Sequence, residues 1–174
     1  KSENIINHFG TEFDGSKVSY INEDEPLGTG GALLKVLNDG AIGSEPFFMV
    51  NGDSFVEYNF NEMYSAHIES NAALTIGTMR ANEVNRYGGV KVENGSNRII
   101  GFSSGKCGVG ETSNAGMYIF SNSEYLHESL SKCGQKFSFE SDFLIKYVSS
   151  TIVNQFETNG DFLDIGVPKD YRKV

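Results

Sequence analysis

The sequence has few cysteines, few basic residues and no long apolar run. Its two cysteines, Cys107 and Cys133, make no disulfide framework and sit in no metal-ligand spacing, which favours a reducing cytoplasm. Lysine and arginine number 14 against 23 aspartates and glutamates, so the chain lacks the basic surface that a nucleic-acid backbone requires. No apolar run approaches the roughly 20 residues that span a bilayer. We therefore expect a cytoplasmic protein that binds neither nucleic acid nor membrane.

The length and the remaining composition are those of one globular domain. The chain has 174 residues, of which 39% are hydrophobic and 21% charged, and such a chain buries about two thirds of its unfolded surface. The net charge of −9 does not exclude a phosphate-bearing small molecule if a divalent cation accompanies it. We therefore look for chemistry in turns and loops.

The most informative stretch is residues 45–55, where an apolar run ends in a turn. Phe47 to Val50 is typical of a strand covered on both faces in a parallel α/β sheet. The triplet Asn51-Gly52-Asp53 then places a carboxylate just beyond the end of what we predict is a central strand, where open α/β sheets bind ligands. Asp53 is thus a candidate Mg²⁺ ligand. An aspartate that only completes a turn remains the alternative.

Hydrophobic periodicity predicts an α/β chain with a β-rich insertion in its middle. The predicted helices cover residues 2–9, 31–38, 60–70, 122–131 and 139–148, with a further helix from Pro168. The predicted strands cover residues 17–23, 47–50, 72–79, 89–93, 98–102, 112–120, 151–157 and 162–165. Asn94-Gly95 marks a hairpin between two of them.

Two further features carry candidate chemistry. Residues 25–32 form a glycine-rich segment that runs into a helix, where free N–H groups and small residues let an anionic or flat ligand approach. The segment lacks the lysine of a P-loop. Asp164 follows a short apolar strand and precedes a glycine turn, as Asp53 does. Two such aspartates from distant parts of the chain could share one Mg²⁺, although each alone is also typical of a turn.

Several motifs, in this order, resemble those of the sugar-1-phosphate nucleotidylyltransferases. They are Glu25-Pro-Leu-Gly-Thr-Gly-Gly-Ala32, Val50-Asn-Gly-Asp-Ser54, Tyr87-Gly-Gly-Val90, Asn114-Ala-Gly-Met-Tyr-Ile-Phe120 and Asp164-Ile-Gly-Val-Pro-Lys-Asp-Tyr171. Within the family, Arg86-Tyr-Gly88 and Phe137-Ser-Phe-Glu140 look most like the D-glycero-D-manno-heptose 1-phosphate guanylyltransferases. The resemblance implies a Rossmann-like, GT-A-like fold with a mixed, mostly parallel central sheet flanked by helices and a small β-rich insertion.

The resemblance also implies roles for single residues. Asp53 and Asp164 would be catalytic Mg²⁺ ligands, and Gly88, Asn114 and Glu140 would face the sugar. The nucleotide would lie against Glu25, Pro26, Leu27, Gly28, Thr29, Gly30, Asn51 and Gly52. The implied partners are a nucleoside triphosphate, GTP for the heptose type, and a sugar 1-phosphate. In the implied reaction the sugar phosphate attacks the α-phosphorus in line and pyrophosphate leaves.

The chain departs from the family pattern at two places. Where the family often has a Glu-Lys pair, this chain has Ser103-Ser-Gly-Lys106, so the glutamate is absent and Lys106 is a candidate for the sugar phosphate or an ordinary loop lysine. The Gly-x-Gly-Thr-Arg loop with which the family begins, and the Pro-Lys pair that follows that loop, are also absent here, and we expect residues upstream. A mannose- or glucose-1-phosphate transferase and a non-catalytic nucleotide-sugar-binding module are the alternatives.

Overall fold

The computed structural model describes residues 2–81, 88–103, 107–166 and 171. Its helices are α1 (Ser2–Phe9), α2 (Gly28–Asn38), α3 (Phe60–Glu69), α4 (Glu124–Ser131), a π-helix (Phe139–Leu144) and α5 (Ile145–Tyr147). Its strands are β1 (Glu12–Phe13), β2 (Ser16–Lys17), β3 (Phe47–Val50), β4 (Ser54–Val56), β5 (Leu74–Arg80), β6 (Val90–Val92), β7 (Ile99–Phe102), β8 (Thr112–Phe120), β9 (Val153–Thr158) and β10 (Phe162–Asp164). Within these ranges no helix is both long and apolar enough to cross a membrane.

The central sheet has four strands in the order β3-β8-β5-β9. Strand β8 runs antiparallel to β3 and to β5, while β5 and β9 are parallel. Three strands therefore share one direction and β8 opposes them, which confirms the predicted mixed sheet, although most of its ladders are antiparallel. The hairpin of β6 and β7 is the predicted β-rich insertion, and Gly95 takes the positive φ of +77° that its turn requires.

Helices cover both faces of the sheet because β8 turns alternate side chains to opposite sides. Tyr118 and Phe120 belong to one buried cluster, which they share with α2, α4 and the π-helix. Met117 and Ile119 belong to a second cluster, with Met63 of α3. Strand β5 is buried over six consecutive residues for the same reason, as its apolar run predicts.

The ends of the helices follow their capping residues. Asn59 accepts a hydrogen bond from the Glu62 N–H at 3.2 Å and begins α3, as predicted from the sequence. Ser123 caps α4 in the same way. These local signals set where the helices begin, while the buried faces set where they pack.

Two predictions about the strands are wrong, and one strand was not predicted. Residues 18–23 form no strand, and the chain instead makes a short hairpin of β1 and β2, because an alternating pattern needs a neighbouring strand to hydrogen-bond with. Strand β3 is an edge of the described sheet, and Val50 at its end is 53% exposed, whereas the sequence indicated a central strand. Strand β4, which follows Asp53 directly, was not predicted.

Candidate active site

Asp53 and Asp164 lie at the same end of a two-stranded ladder. Strands β4 and β10 pair antiparallel with Asp164 opposite Ser54, and the Ile165 N–H donates to the Asp53 carbonyl oxygen at 2.9 Å. A Cβ placed on Gly166 would lie 2.7 Å from Asp53 Oδ2 and 3.0 Å from Asp164 Oδ1. Because both oxygens lie this close to one point, the distance between them cannot exceed the sum of their distances to that point. The ladder thus brings together two aspartates that are distant in sequence.

The two carboxylates have different surroundings. Asp164 is only 6% exposed, and its Oδ1 accepts the Gly166 N–H at 2.9 Å. Asp53 is exposed at the surface. In the part of the chain that the structure describes, no group of three or more His, Cys, Asp or Glu side chains converges on a metal position. A convergent carboxylate pair fits Mg²⁺, which takes one or two carboxylates and completes its shell with waters and phosphates.

A cavity of about 190 Å³, which we term the polar cavity after the amide, hydroxyl and carboxyl side chains in its lining, lies against strands β4, β8 and β10. It is lined by Asn51, Ser54, Gly88, Asn114, Ala115, Gly116, Tyr118, Glu140 and Phe162. Three of these, Gly88, Asn114 and Glu140, are the residues predicted to face the sugar, and they come from separate stretches of the chain. Ser54 directly follows Asp53 and pairs with Asp164, so the cavity borders the ladder that carries the acidic pair. That these residues bind a sugar stays a prediction.

A bulge in β8 shapes the floor of this polar cavity. The β5–β8 register shifts between Ile76 and Thr78, and opposite this shift Gly116 has a φ of +74°. The Gly116 N–H donates to Asn114 Oδ1 at 3.0 Å, and the Asn51 N–H donates to the Gly116 carbonyl at 3.0 Å. The bulge therefore fixes the Asn114 amide and ties the end of β3 to it.

Tyr118 connects two of the predicted sugar-facing residues and was missed from the sequence. Asn114 Nδ2 donates to the Tyr118 hydroxyl at 2.8 Å, and that hydroxyl donates to Glu140 Oε1 at 3.4 Å. Burial, and then the negative charge of Glu140, raise the pKa of Tyr118 far above its ordinary value. The phenol therefore stays protonated and acts as a donor. Its signal in the sequence is a tyrosine in an apolar strand, which needs a partner for its hydroxyl.

The sequence predicts free N–H groups in the glycine-rich segment, but at Gly30 and Gly31 these groups are already hydrogen-bonded. Helix α2 begins at Gly28 rather than Gly31, and the N–H groups of Gly30 and Gly31 donate to the Phe137 carbonyl at 3.1 and 3.4 Å. A Cβ on Gly28 would lie 2.5 Å from that same carbonyl oxygen, and one on Gly30 would overlap the Phe137 ring. The missing side chains of these glycines leave space that Phe137 occupies.

The other residues predicted to bind nucleotide are divided. Thr29, Asn51 and Gly52 line a second, mostly apolar cavity of about 510 Å³ between α2 and β3. Asn51 also lines the polar cavity, so this residue at the end of β3 borders both cavities. The remaining predicted residues, Glu25, Pro26, Leu27, Gly28 and Gly30, lie at or just before the start of α2 and are not part of this lining. Lys106 lies outside the described residues.

Comparison with known proteins gives a consistent set of relatives. The family model described as nucleotidyl transferase matches residues 1–174. The D-glycero-alpha-D-manno-heptose 1-phosphate guanylyltransferase of Aneurinibacillus thermoaerophilus is 36% identical over 174 residues, which cover 100% of this chain and 73% of that protein. The mannose-1-phosphate guanylyltransferase catalytic subunit beta of Danio rerio is 32% identical over 158 residues, covering 90% of this chain and 43% of that protein.

A solved structure agrees with these relatives. The crystal structure of HddC from Yersinia pseudotuberculosis complexed with GMP-PN superimposes with a TM-score of 0.80 at 30% identity. The match covers 99% of this chain and 72% of that one. The mixed α/β sheet with helices on both faces is thus shared with a structure that was solved in complex with GMP-PN.

Proposed function

Because the chain belongs to the nucleotidyl transferase family, we propose that it is a sugar-1-phosphate guanylyltransferase. It transfers GMP from GTP to D-glycero-D-manno-heptose 1-phosphate and releases pyrophosphate. The heptose relative is 36% identical and the mannose relative 32%, which favours the heptose substrate and makes mannose 1-phosphate the second candidate. The chain spans 73% of the length of the first relative and 43% of the second, so this activity is proposed for the intact protein.

The observation that carries the proposal is the polar cavity beside the acidic pair. Glu140 offers a carboxylate and Asn114 an amide, each held by hydrogen bonds to Tyr118. Fixed acceptors and donors of this kind suit the hydroxyl groups of a sugar. Asp53 and Asp164 lie next to the cavity, where the phosphate of a bound sugar 1-phosphate would reach them. Gly88 completes the sugar side of the cavity.

The reaction needs no general base. A phosphate oxygen of the sugar 1-phosphate is already an anion at neutral pH and forms the new bond to the α-phosphorus of GTP. The bond from that phosphorus to the bridging oxygen breaks, and pyrophosphate leaves with the electron pair. Alignment of the two substrates is therefore the main task of the protein. Asn114 and Glu140 orient the sugar, and Thr29, Asn51 and Gly52, which line the apolar cavity, hold the nucleotide side.

Asp53 and Asp164 are the residues that would hold Mg²⁺. When bound, this ion neutralises charge on the phosphates and on the departing pyrophosphate. The buried carboxylate of Asp164 supplies a fixed position, and the exposed carboxylate of Asp53 faces the incoming nucleotide. Lys106 follows in sequence from the β6–β7 hairpin, and we assign it to the phosphate of the sugar.

The test is a pyrophosphate-release assay on the intact protein. GTP, ATP, CTP, UTP and dTTP are each paired with heptose, mannose and glucose 1-phosphates. We expect the highest kcat/KM with GTP and D-glycero-D-manno-heptose 1-phosphate. A higher kcat/KM with mannose 1-phosphate would identify mannose 1-phosphate as the substrate of the same reaction. Binding of GDP-sugars without pyrophosphate release from any pair would instead identify a non-catalytic nucleotide-sugar-binding module.

A further inference from the structure

The side chain of Thr29 connects the glycine-rich segment to Glu140, a residue that lines the polar cavity. Its Oγ1 accepts the Phe139 N–H at 2.9 Å and donates to Glu140 Oε2 at 3.1 Å. The Phe139 N–H donates to the Thr29 oxygen, so the single hydroxyl hydrogen of Thr29 is available to donate to the Glu140 carboxylate. Thr29 therefore links the first turn of α2 to a residue 111 positions later in the chain.

Both oxygens of Glu140 are held by neutral hydroxyl groups. Oε2 also accepts from Ser138 Oγ at 3.3 Å, and Oε1 accepts from the Tyr118 hydroxyl at 3.4 Å. Across the described ranges, neither lysine nor arginine forms an ion pair with this carboxylate. A carboxylate oxygen accepts about two hydrogen bonds. Oε2 thus already accepts two hydrogen bonds, whereas Oε1 accepts one and can accept another.

We propose that Thr29 is a positioning residue for the sugar substrate, which it serves by fixing the Glu140 carboxylate so that Oε1 accepts a sugar hydroxyl. The proposal rests on the proposed function. It gives the glycine-rich segment, which the sequence assigns to the nucleotide, a second role on the sugar side. Without the Thr29 hydroxyl the carboxylate loses a donor from one side and can rotate about its last bond. The cavity then loses its fixed acceptor.

This arrangement favours one class of ligand. Within the described residues the Glu140 carboxylate has no basic partner, and a carboxylate held by hydroxyl groups recognises hydrogen-bond donors such as those of a sugar. Thr29 also lines the apolar cavity, while Glu140 lines the polar one. One side chain therefore stands between the region that we assign to the nucleotide and the region that we assign to the sugar.

The experiment compares Thr29→Val, which keeps the shape and removes the hydroxyl, with Thr29→Ser, which keeps the hydroxyl. Binding of mannose 1-phosphate and of heptose 1-phosphate is measured by calorimetry, and KM is measured for both substrates. We expect Thr29→Val to weaken sugar-phosphate binding about tenfold and to raise that KM equally, as loss of a hydrogen bond to a charged group would. The KM for GTP should rise less than the KM for the sugar phosphate, and Thr29→Ser should restore sugar binding. If Thr29→Val fails to fold, Thr29→Ala replaces it.

Each outcome decides between the two proposals. Unchanged sugar-phosphate affinity in Thr29→Val, or an equal loss in Thr29→Ser, overturns the role of the hydroxyl while the proposed function stands. A wild-type protein that binds sugar phosphate without turning it over, and loses that binding in Thr29→Val, supports the positioning role and contradicts the proposed function. A wild-type protein that binds neither sugar phosphate overturns both.

Discussion

Two regions of the molecule are built around glycines that leave no room for a side chain, and they use the space differently. At Gly28, Gly30 and Gly31 the space is filled by residues 135–137 of the same chain. At Gly166 it is filled by the carboxylate oxygens of Asp53 and Asp164. The first region closes the fold and the second brings two negative charges together. A glycine therefore signals close approach, while its neighbours determine whether that approach serves stability or chemistry.

The largest effect should come from removing one charge of the acidic pair. We expect Asp53→Ala to lower kcat/KM by about 10³-fold, since loss of a cation ligand forfeits several kcal/mol of transition-state stabilisation. Circular dichroism should show a retained fold, because Asp53 is exposed. Asp161→Ala, also exposed, is the matched control in steady-state assays. Wild-type rates in Asp53→Ala would remove Asp53 from the chemistry.

A methyl group at Gly30 should act on stability rather than on the acidic pair. Its Cβ would overlap the Phe137 ring, so we expect Gly30→Ala to lower the free energy of unfolding by about 3 kcal/mol. Urea denaturation measures this. Gly43→Ala is the control, because no atom lies within 4 Å of a Cβ there. Equal stability of the two variants would mean that the docking of residues 135–137 does not depend on the missing side chain.

The matching change at Gly166 should lower activity and have little effect on stability. The added Cβ would press on Asp53 Oδ2 and Asp164 Oδ1, which shifts the carboxylates without opening the core. We expect Gly166→Ala to lower kcat/KM roughly 30-fold, since small misplacements at a reacting centre are costly. The loss of unfolding free energy should stay below about 1 kcal/mol. A stability loss as large as that of Gly30→Ala would show that the two regions do not differ in kind.

The smallest effect should appear at Glu140, which depends on both the glycine-rich segment and the polar cavity. We expect Glu140→Ala to raise KM for the sugar phosphate about tenfold, because one charged hydrogen-bond acceptor is lost. The KM for GTP should change less. Glu128→Ala, on the exposed side of α4, should alter neither value. Equal increases for both substrates would move Glu140 out of the sugar cavity.

Much of the local structure could be predicted because its causes are local. Strand β8 has the predicted bounds of Thr112–Phe120, and Asn59 caps α3 as its sequence indicates. Predictions from the sequence fail where the structure of a segment depends on which other strands lie beside it. Residues 18–23 alternate like a strand but pair with no described strand. Strand β3 has the predicted bounds and the wrong place in the sheet, since an apolar run does not say how many strands flank it.

The candidate site divides in the same way. The pattern of an apolar strand followed by a glycine turn indicates Asp53 and Asp164, and the resemblance to a family adds Asn114, at a bulge, and Glu140, in a helix. The contacts among them could not be read from the sequence. Tyr118 looks like any buried strand residue until its hydroxyl is seen between Asn114 and Glu140. Thr29 looks like part of a nucleotide loop until its hydrogen bonds are known.

The most direct test of the acidic pair is a titration of Mn²⁺, a paramagnetic substitute for Mg²⁺, into the intact protein with GTP bound and no sugar phosphate. Free Mn²⁺ is followed by electron paramagnetic resonance for wild type, Asp53→Asn, Asp164→Asn and the control Asp161→Asn. We predict that each of the first two substitutions weakens Mn²⁺ binding by at least about tenfold and that the control leaves it unchanged. Wild-type Mn²⁺ affinity in both Asp53→Asn and Asp164→Asn would contradict a shared cation site.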